Sequence, residues 1–259
     1  MKIDYKKIIK NIKKEGIHIE KNLISKQKCK EIKNKLEKIL SDRIKNKVYC
    51  GNDNYQVIDN YFMDDFSLTP IIFQNITDKV MKNLIDDDYV LISPSARNMS
   101  IRKDEFNGNK TSGLGWHTDS RFIQSGKGIK PSLCYMSILC IDEFKSTNGC
   151  THYVPKSHLR YTRPKNRNAK LKYSNMMAPM GSIVFIGTSL WHRAGEPSKD
   201  SRWGVFNTYG PWFVKPYHRF NEMFSKNQTK NMPSKLKKLL HFTSTPPSSH
   251  LERMQTLQK

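Results

Sequence analysis

Apolar positions recur with a helical period at both ends of the chain and with a strand period in its middle. Over residues 4–15 they fall on one helical face, and Gly16 follows, so a first helix is predicted there. Ser25 is of a residue type that caps helix N-termini and predicts the start of a second helix. The apolar stripe of this second helix consists of Cys29, Ile32, Leu36, Ile39 and Leu40.

A third helix is expected to begin at Thr69-Pro70, because proline is favoured at the first helical position. A short alternating segment, "IHIE", predicts a strand directly after the first helix. Further β-rich runs, separated by Gly, Pro, Asn and Asp, are "YVLIS", "RNMSIR", "SLCYMSILCI", "CTHYVP", "SIVFIG" and "WGVFNTY". Helical periodicity returns near the C-terminus in "SKLKKLLHF" and "SSHLERMQTL".

This order of elements predicts a single domain that is mostly β with flanking helices. Short strands at this spacing are typical of an antiparallel sandwich or a jelly roll. We assign residues 1–88 to an N-terminal helical part, residues 89–216 to the β core and residues 217–259 to a C-terminal helical cover.

The composition indicates where such a chain would reside. Hydrophobic residues make up 37% of it, enough for a core, but no apolar run reaches the length of a membrane span. The charged N-terminus, "MKIDYKKIIKNIKKEG", lacks the apolar segment of a secretory signal. The 5 cysteines include no CxxC pair, which favours reduced thiols. We therefore expect a cytoplasmic protein without a membrane segment.

The net charge of +22 has two interpretations. It could attract nucleic acid, anionic lipid or an anionic small molecule. Alternatively, it reflects a lysine-rich composition of the kind that AT-rich coding produces. The lysines are spread along helical segments and are not interleaved with aromatic residues, which favours the second interpretation. Nucleic acid is therefore not expected as a partner, whereas an anionic substrate is left open.

The stretch "GLGWHTDSRF" places His117 and Asp119 two positions apart. Alternate residues of a strand point the same way, so both could hold one metal ion; an ordinary polar turn is the alternative. His192, which follows the apolar run "GSIVFIGTSLW", is the best candidate for a third ligand. Two imidazoles and one carboxylate form the facial triad of non-haem Fe(II) oxygenases, which leaves positions open for a co-substrate and O2.

Arg202 follows His192 after a turn and begins a predicted strand. A guanidinium group makes bidentate pairs with carboxylates. If 2-oxoglutarate chelated the iron, its far carboxylate would need such a partner inside the pocket, and Arg202 could provide it. A surface arginine in a salt bridge is the alternative interpretation.

Three motifs follow one another along the chain: "GWHTD", "STNGCTHYVPKSHL" and "GSIVFIGTSLWHRAGEPSKDSRWGVFNTYGPWFVKP". This set resembles the phytanoyl-CoA dioxygenase family of Fe(II)- and 2-oxoglutarate-dependent oxygenases, over about residues 85–216. The resemblance implies a double-stranded β-helix core, a jelly-roll or cupin-like architecture. It also implies that His117, Asp119 and His192 are the iron ligands and that Arg202 anchors 2-oxoglutarate.

Further roles follow from the same resemblance. Arg97, Asn98 and Arg102 lie on a strand entering the core, and polar groups there contact 2-oxoglutarate or substrate in relatives; we expect this of Asn98 and Arg102. A solvated strand face is the alternative. Related halogenases carry a small residue at the position of Asp119, so the carboxylate favours hydroxylation over halogenation.

The resemblance implies a dioxygenase that hydroxylates a small molecule, or oxidises it in another way through hydrogen abstraction, and releases succinate and CO2. Fe(II), 2-oxoglutarate and O2 are the implied cofactor and co-substrates. Two alternatives are an oxygenase of the same fold that acts on nucleic acid and a non-catalytic binding protein on this scaffold. The identity of the substrate and the oligomeric state are left open by the sequence.

Overall fold

The computed structural model describes residues 3–51, 55–100, 115–119, 132–160, 162–244, 249–251 and 254. Its α-helices are α1 (Tyr5–Glu15), α2 (Lys26–Lys45), α3 (Asn75–Leu84), α4 (Lys226–Lys230) and α5 (Ser234–Leu239). Its strands are β1 (Ile17–Glu20), β2 (Tyr55–Asp59), β3 (Val90–Met99), β4 (Tyr135–Cys140), β5 (His152–Tyr153), β6 (Ser174–Asn175), β7 (Ile183–Gly187), β8 (His192–Arg193) and β9 (Arg202–Gly210). Short 3-10 helices cover Tyr61–Met63, Phe66–Ile71, Ser157–Arg160 and Phe220–Glu222.

These strands form two antiparallel sheets. The large sheet has the order β1-β7-β4-β9-β3-β2, and the small sheet has the order β6-β5-β8. Apolar side chains of the large sheet, such as Ile138, Val184 and Phe206, share one core cluster with Cys150 and Met176 beside the small sheet. The expected fold class, mostly β with flanking helices, is confirmed.

The central strands of the large sheet are buried on both faces, and β4 and β7 accordingly appear in the sequence as largely apolar runs. Ile138 and Val184 belong to the cluster between the sheets, whereas Leu139 and Phe185 belong to the cluster that the helices cover. Because neighbouring residues of a strand point to opposite faces, the same alternation along β9 directs Arg202 toward the interior between the sheets.

The predicted helix termini are confirmed at two points. Gly16 follows α1 with a φ of 85°, a left-handed conformation in which its N–H donates to the carbonyl of Ile12. The hydroxyl of Ser25 accepts a hydrogen bond from the N–H of Lys28 and caps α2.

The expected start of the third helix is wrong. Thr69-Pro70 lies inside the 3-10 helix Phe66–Ile71, and α3 begins at Asn75. The hydrogen bonds of this segment run from the N–H of Leu68 to Asp65 and from the N–H of Ile72 to Thr69. They do not use the donor that proline lacks, so the dipeptide fits a short 3-10 turn as well as a helix start.

The residues before position 89 also contribute strands. The expected strand β1 pairs with β7 at one edge of the large sheet. Strand β2, which the sequence analysis did not identify, pairs with β3 at the other edge. The runs "YVLIS" and "RNMSIR" form a single strand, β3, with an irregularity between Leu91 and Ser93, and the last two residues of the second run lie outside the described residues.

Two expectations about the environment of the chain can be compared with the structure. All 5 cysteines are buried and unpaired. Within the described segments, no helix combines the length and apolar character that crossing a bilayer requires.

Replacing Gly181 by alanine is expected to destabilise the fold. Gly181 precedes β7 with a φ of +79°, and a Cβ there would fall 2.0 Å from the carbonyl oxygen of Ile24. The carbonyl of Gly181 also accepts hydrogen bonds from the N–H groups of Leu23 and Ile24, so the turn cannot move freely. We expect the free energy of unfolding to fall by about 2 kcal/mol or more, measured by urea denaturation.

Gly187→Ala, at the last residue of β7, is the matched control. A Cβ at Gly187 would meet no described atom closer than 3.7 Å, so the unfolding free energy should change by about 0.5 kcal/mol or less. Equal losses in the two variants would contradict the steric explanation.

Candidate metal centre

The backbone brings His117 and His192 side by side. The N–H of each residue donates to the carbonyl of the other, at 3.0 Å in both directions, which forms an antiparallel bridge next to β8. Two residues further on, the N–H of Asp119 donates to the carbonyl of Thr188 at 3.0 Å. Backbone hydrogen bonds therefore hold two segments that are distant in sequence next to each other.

The side chains of His117, Asp119 and His192 converge at this bridge. The Nε2 atom of His192 lies 3.2 Å from Oδ2 of Asp119, and Nε2 of His117 lies 3.8 Å from Oδ1. One potential ligand atom from each residue lies within 4.8 Å of the other two. The three residues that the sequence suggested are therefore brought together.

The tautomers of both histidines are fixed by the backbone. Nδ1 of His117 lies 2.7 Å from the carbonyl oxygen of Gly115, and Nδ1 of His192 lies 2.9 Å from that of Leu190. A carbonyl oxygen only accepts, so each Nδ1 carries the proton. In the neutral imidazoles this leaves the lone pair of each Nε2 facing Asp119, which is the arrangement that metal-binding histidines adopt.

The resulting donor set requires a cation. The Nε2 lone pair of neutral His192 and the Oδ2 atom of Asp119 face each other at 3.2 Å. Oδ2 is buried, and a neutral His192 that carries its proton on Nδ1 offers it no hydrogen. Two acceptors at this separation repel each other unless a metal ion or a proton lies between them, so the site fits a divalent metal bound by two imidazoles and one carboxylate.

The same proximity separates the pKa values of the three groups. Burial and the neighbouring His192 lower the pKa of His117 to about 4. Burial would also lower the pKa of His192, but the carboxylate of Asp119 outweighs it and raises that pKa above its ordinary value. For Asp119, burial acts upward, but the two histidines hold its pKa well below the usual range. In the metal-free protein, these interactions favour a proton on His192 over a proton on Asp119.

Metal affinity is expected to fall as the pH falls through the pKa of His192. Below that pKa, which lies above 6.5, the metal must displace one proton from His192, whereas His117 stays neutral down to about pH 4. The apparent Kd for Ni(II) should therefore rise about tenfold for each pH unit between about pH 6.5 and 5. Isothermal titration calorimetry in buffers of different ionisation enthalpy should find release of about one proton. A release of two protons, or of none, would contradict this assignment.

Arg202 lies at the base of the same cavity. The cavity is lined by the triad residues His117, Asp119 and His192 together with Arg202 and Arg97. Arg202 is only 2% exposed. Its Nε and Nη2 both donate to the carbonyl of Gly149, at 3.0 and 2.7 Å. The Cζ atom of its guanidinium lies 4.1 Å from the centroid of the Phe144 ring. Arg202 is not a surface residue in a salt bridge.

The remaining guanidinium nitrogen of Arg202, Nη1, is buried and has no hydrogen-bond partner in the described structure. Burial lowers the pKa of Arg202 to about 10. A buried cation with an unused donor fits a carboxylate that comes from a ligand, as expected for the far carboxylate of 2-oxoglutarate.

The other residues expected to bind 2-oxoglutarate are placed differently. The Nδ2 of Asn98 donates to Oε1 of Gln56 at 3.0 Å, and Asn98 lines a groove with Leu40 and Trp203 on the helix-covered side of the sheet. Its neighbour on β3, Arg97, faces the metal centre, because adjacent residues of a strand point to opposite faces. Arg102 lies outside the described residues.

Two further residues belong to the site: Arg97, which the sequence offered beside Asn98 and Arg102 without favouring it, and Tyr55, for which no role was expected. Both line the cavity that contains the triad. The Nε of Arg97 donates to the hydroxyl of Ser95 at 3.0 Å. The Cζ atom of its guanidinium lies 4.8 Å from the centroid of the Phe206 ring. Tyr55 begins β2; the alternating "YQVID" run was the available signal for this strand.

The metal centre continues into a cleft of about 600 Å³. Tyr55, Trp116, Arg163 and Arg167 contribute to its walls, and His117 and Asp119 line both this cleft and the cavity that contains His192 and Arg202. A ligand that entered along this path would reach the metal ligands directly.

Comparison with known proteins identifies a family. The family model described as phytanoyl-CoA dioxygenase (PhyH) matches residues 12–204, a range that contains the triad and Arg202. No curated protein has a significantly similar sequence.

Several solved structures share the fold at low sequence identity. The non-haem α-ketoglutarate-dependent epimerase SnoN from nogalamycin biosynthesis superposes with a TM-score of 0.62 and 11% identity, over 80% of this chain and 83% of that chain. HygX from Streptomyces hygroscopicus, solved with nickel and 2-oxoglutarate bound, superposes with a TM-score of 0.62 and 10% identity, over 82% of this chain and 89% of that chain. A complex of SnoN with Fe3+, α-ketoglutarate and nogalamycin RO superposes with a TM-score of 0.60 and 11% identity, over 82% of this chain and 86% of that chain. The predicted double-stranded β-helix is thereby confirmed.

Proposed function

The chain belongs to the phytanoyl-CoA dioxygenase family of Fe(II)- and 2-oxoglutarate-dependent oxygenases, and we propose that it oxidises a small molecule by hydrogen abstraction at the metal centre, with hydroxylation as the outcome. The observation that carries this proposal is the combination of the triad with the open guanidinium nitrogen of Arg202 in one cavity. A metal site alone would fit many functions. A buried, unpaired cation beside it favours an anionic co-substrate.

Each protein group has a defined task in this proposal. His117, Asp119 and His192 would hold a ferrous ion through two imidazoles and one carboxylate, a ligand set that leaves coordination positions for ligands that are not part of the protein. Arg202 binds the far carboxylate of 2-oxoglutarate and so orients its keto-acid end toward the metal. Bound Fe(II), together with 2-oxoglutarate and O2, supplies the oxidising power, and 2-oxoglutarate leaves as succinate and CO2.

The walls of the cavity serve to exclude water. Met136, Ile138, Ile186 and Phe206 line it alongside the charged groups. Apolar walls strengthen the electrostatic interactions inside and keep solvent away from reactive species. A cleft of about 600 Å³ lies in the range of roughly 300–1,000 Å³ that small-molecule sites occupy, which supports a small substrate.

The experiment that tests the proposal measures succinate formation from 2-oxoglutarate in protein reconstituted with Fe(II). We expect O2-dependent succinate formation, increased by at least one compound of a metabolite panel. The His117→Ala variant provides the background, because it lacks one ligand. Equal succinate formation by the parent protein and this variant would remove the assignment.

A further inference from the structure

The cleft that leads to the metal centre is lined by three arginines, Arg97, Arg163 and Arg167. Among the described residues of its wall, Asp119 is the acidic one, and its carboxylate is committed to the metal. Among the described residues, the wall of this path therefore carries more positive than negative charge. A ligand with an anionic group is the class of molecule that such a wall attracts.

The arginines of this protein are distributed differently from its lysines. The first 96 residues contain 17 lysines and 1 arginine, whereas residues 97–202 contain 10 lysines and 8 arginines. A lysine-rich composition alone does not explain this concentration of arginine in the half of the chain that builds the site. Arginine differs from lysine in its planar fork, which binds carboxylate and phosphate oxygens in pairs.

The loop that carries Arg163 and Arg167 is attached to the metal centre. Trp116 and Trp191, which each precede a metal-ligand histidine, donate their indole N–H groups to the carbonyls of Ala169 and Thr162, at 2.9 and 2.6 Å. The backbone N–H of Trp116 also donates to the carbonyl of Arg167 at 2.8 Å. The loop is thus held at a fixed position relative to the histidines.

The side chain of Arg167 lies against the segment that carries the metal ligands. A Cβ built on Gly115 would fall 2.9 Å from Nε of Arg167, so a larger residue at this position would displace the guanidinium. The absence of a side chain at Gly115 leaves room for Arg167 beside the cleft.

From these observations we infer that the substrate is a small organic anion, and that Arg163 and Arg167 bind its carboxylate or phosphate group at the outer part of the cleft while Arg97 lies nearer the metal. This inference rests on the proposed function and adds the class of substrate to it. The anionic group is held by the loop, and the carbon to be oxidised extends inward to the metal. Both carboxylate and phosphate satisfy the geometry of a guanidinium fork.

Binding of simple anions tests this inference without any turnover. The protein is loaded with Ni(II) and saturated with 2-oxoglutarate, and phenyl phosphate, benzoate and neutral benzyl alcohol are titrated by calorimetry. We expect at least one anion to bind at least tenfold more tightly than benzyl alcohol, and the tighter anion identifies the preferred group. Equal binding of the neutral probe would overturn the inference.

Variants locate the binding site. The double variant R163Q/R167Q should weaken binding of the preferred anion at least tenfold, and R163K/R167K should weaken it by a smaller factor because charge remains without the fork. K165Q removes one positive charge from the same loop at an exposed residue that does not line the cleft, and should leave the affinity unchanged. Equal weakening by K165Q, or no weakening in the arginine variants, would overturn the assignment.

A single-stranded oligonucleotide serves as the final probe. Affinity that rises steeply with oligonucleotide length and falls steeply with salt would overturn the small-molecule inference in favour of nucleic acid. Because Ni(II) replaces Fe(II), the affinity for anions is measured without succinate formation and does not depend on it. Failure of the oxygenase proposal and failure of this inference are therefore distinguishable.

Discussion

Replacing His192 by alanine is expected to abolish metal-dependent turnover of 2-oxoglutarate. His192 is the most deeply buried of the three ligands, and its Nε2 lies 3.2 Å from Asp119. Loss of groups that merely orient metal ligands reduces metal affinity or activity about 10- to 100-fold, so loss of a ligand should reduce succinate formation at least about 100-fold. Calorimetry with Ni(II) should show a matching loss of affinity.

His250→Ala is the control for this prediction. His250 is exposed and is not part of the triad, so this variant removes a histidine without touching the site. Retention of the parent affinity for Ni(II) by His192→Ala, with unchanged turnover, would show that the metal is held elsewhere.

Replacing Arg202 by glutamine is expected to raise the KM for 2-oxoglutarate by about 100-fold. Removing one partner of a buried charged pair typically costs about 2–5 kcal/mol, and about 1.4 kcal/mol corresponds to a factor of ten. The buried Nη1 that we assign to the ligand's far carboxylate disappears with the guanidinium. Because the triad stays in place, the affinity for Ni(II) measured without 2-oxoglutarate should change little.

Two comparisons separate this role from a structural one. Arg202→Lys keeps a positive charge but loses the fork, so its KM should lie between those of the parent and Arg202→Gln. The increase in Tm that 2-oxoglutarate produces in the Ni(II)-loaded protein should be lost in Arg202→Gln. An unchanged KM together with an unchanged Tm increase would show that Arg202 does not bind 2-oxoglutarate.

The triad was predictable because its signal is local. His117 and Asp119 are two positions apart in an extended segment, and His192 follows an apolar strand, so residue type and spacing were sufficient to select them. The side of β9 on which Arg202 lies was less evident, since both faces of that strand are buried. Only the pairing in the sheet settles that Arg202 faces the metal centre.

The choice between Arg97 and Asn98 was not predictable from the sequence for the same reason. Both are polar residues on β3, and a shift by one position exchanges the faces of a strand. The structure directs Arg97 to the metal centre and Asn98 to Gln56 on the helix-covered side. Strand β2 escaped detection because five residues at the edge of a sheet give only a weak alternating pattern.

The reciprocal backbone hydrogen bonds between His117 and His192 have a consequence for the stability of the whole chain. An ion bound by both side chains would close, through coordinate bonds, a loop that contains all the residues between them, much as a disulfide bond would. Such a closure restricts the unfolded ensemble, and long loops gain the most from it in theory. The ion would then act as a reversible cross-link at the rim of the barrel, and a chelator would weaken the pairing of the two segments as well as remove the reactive centre.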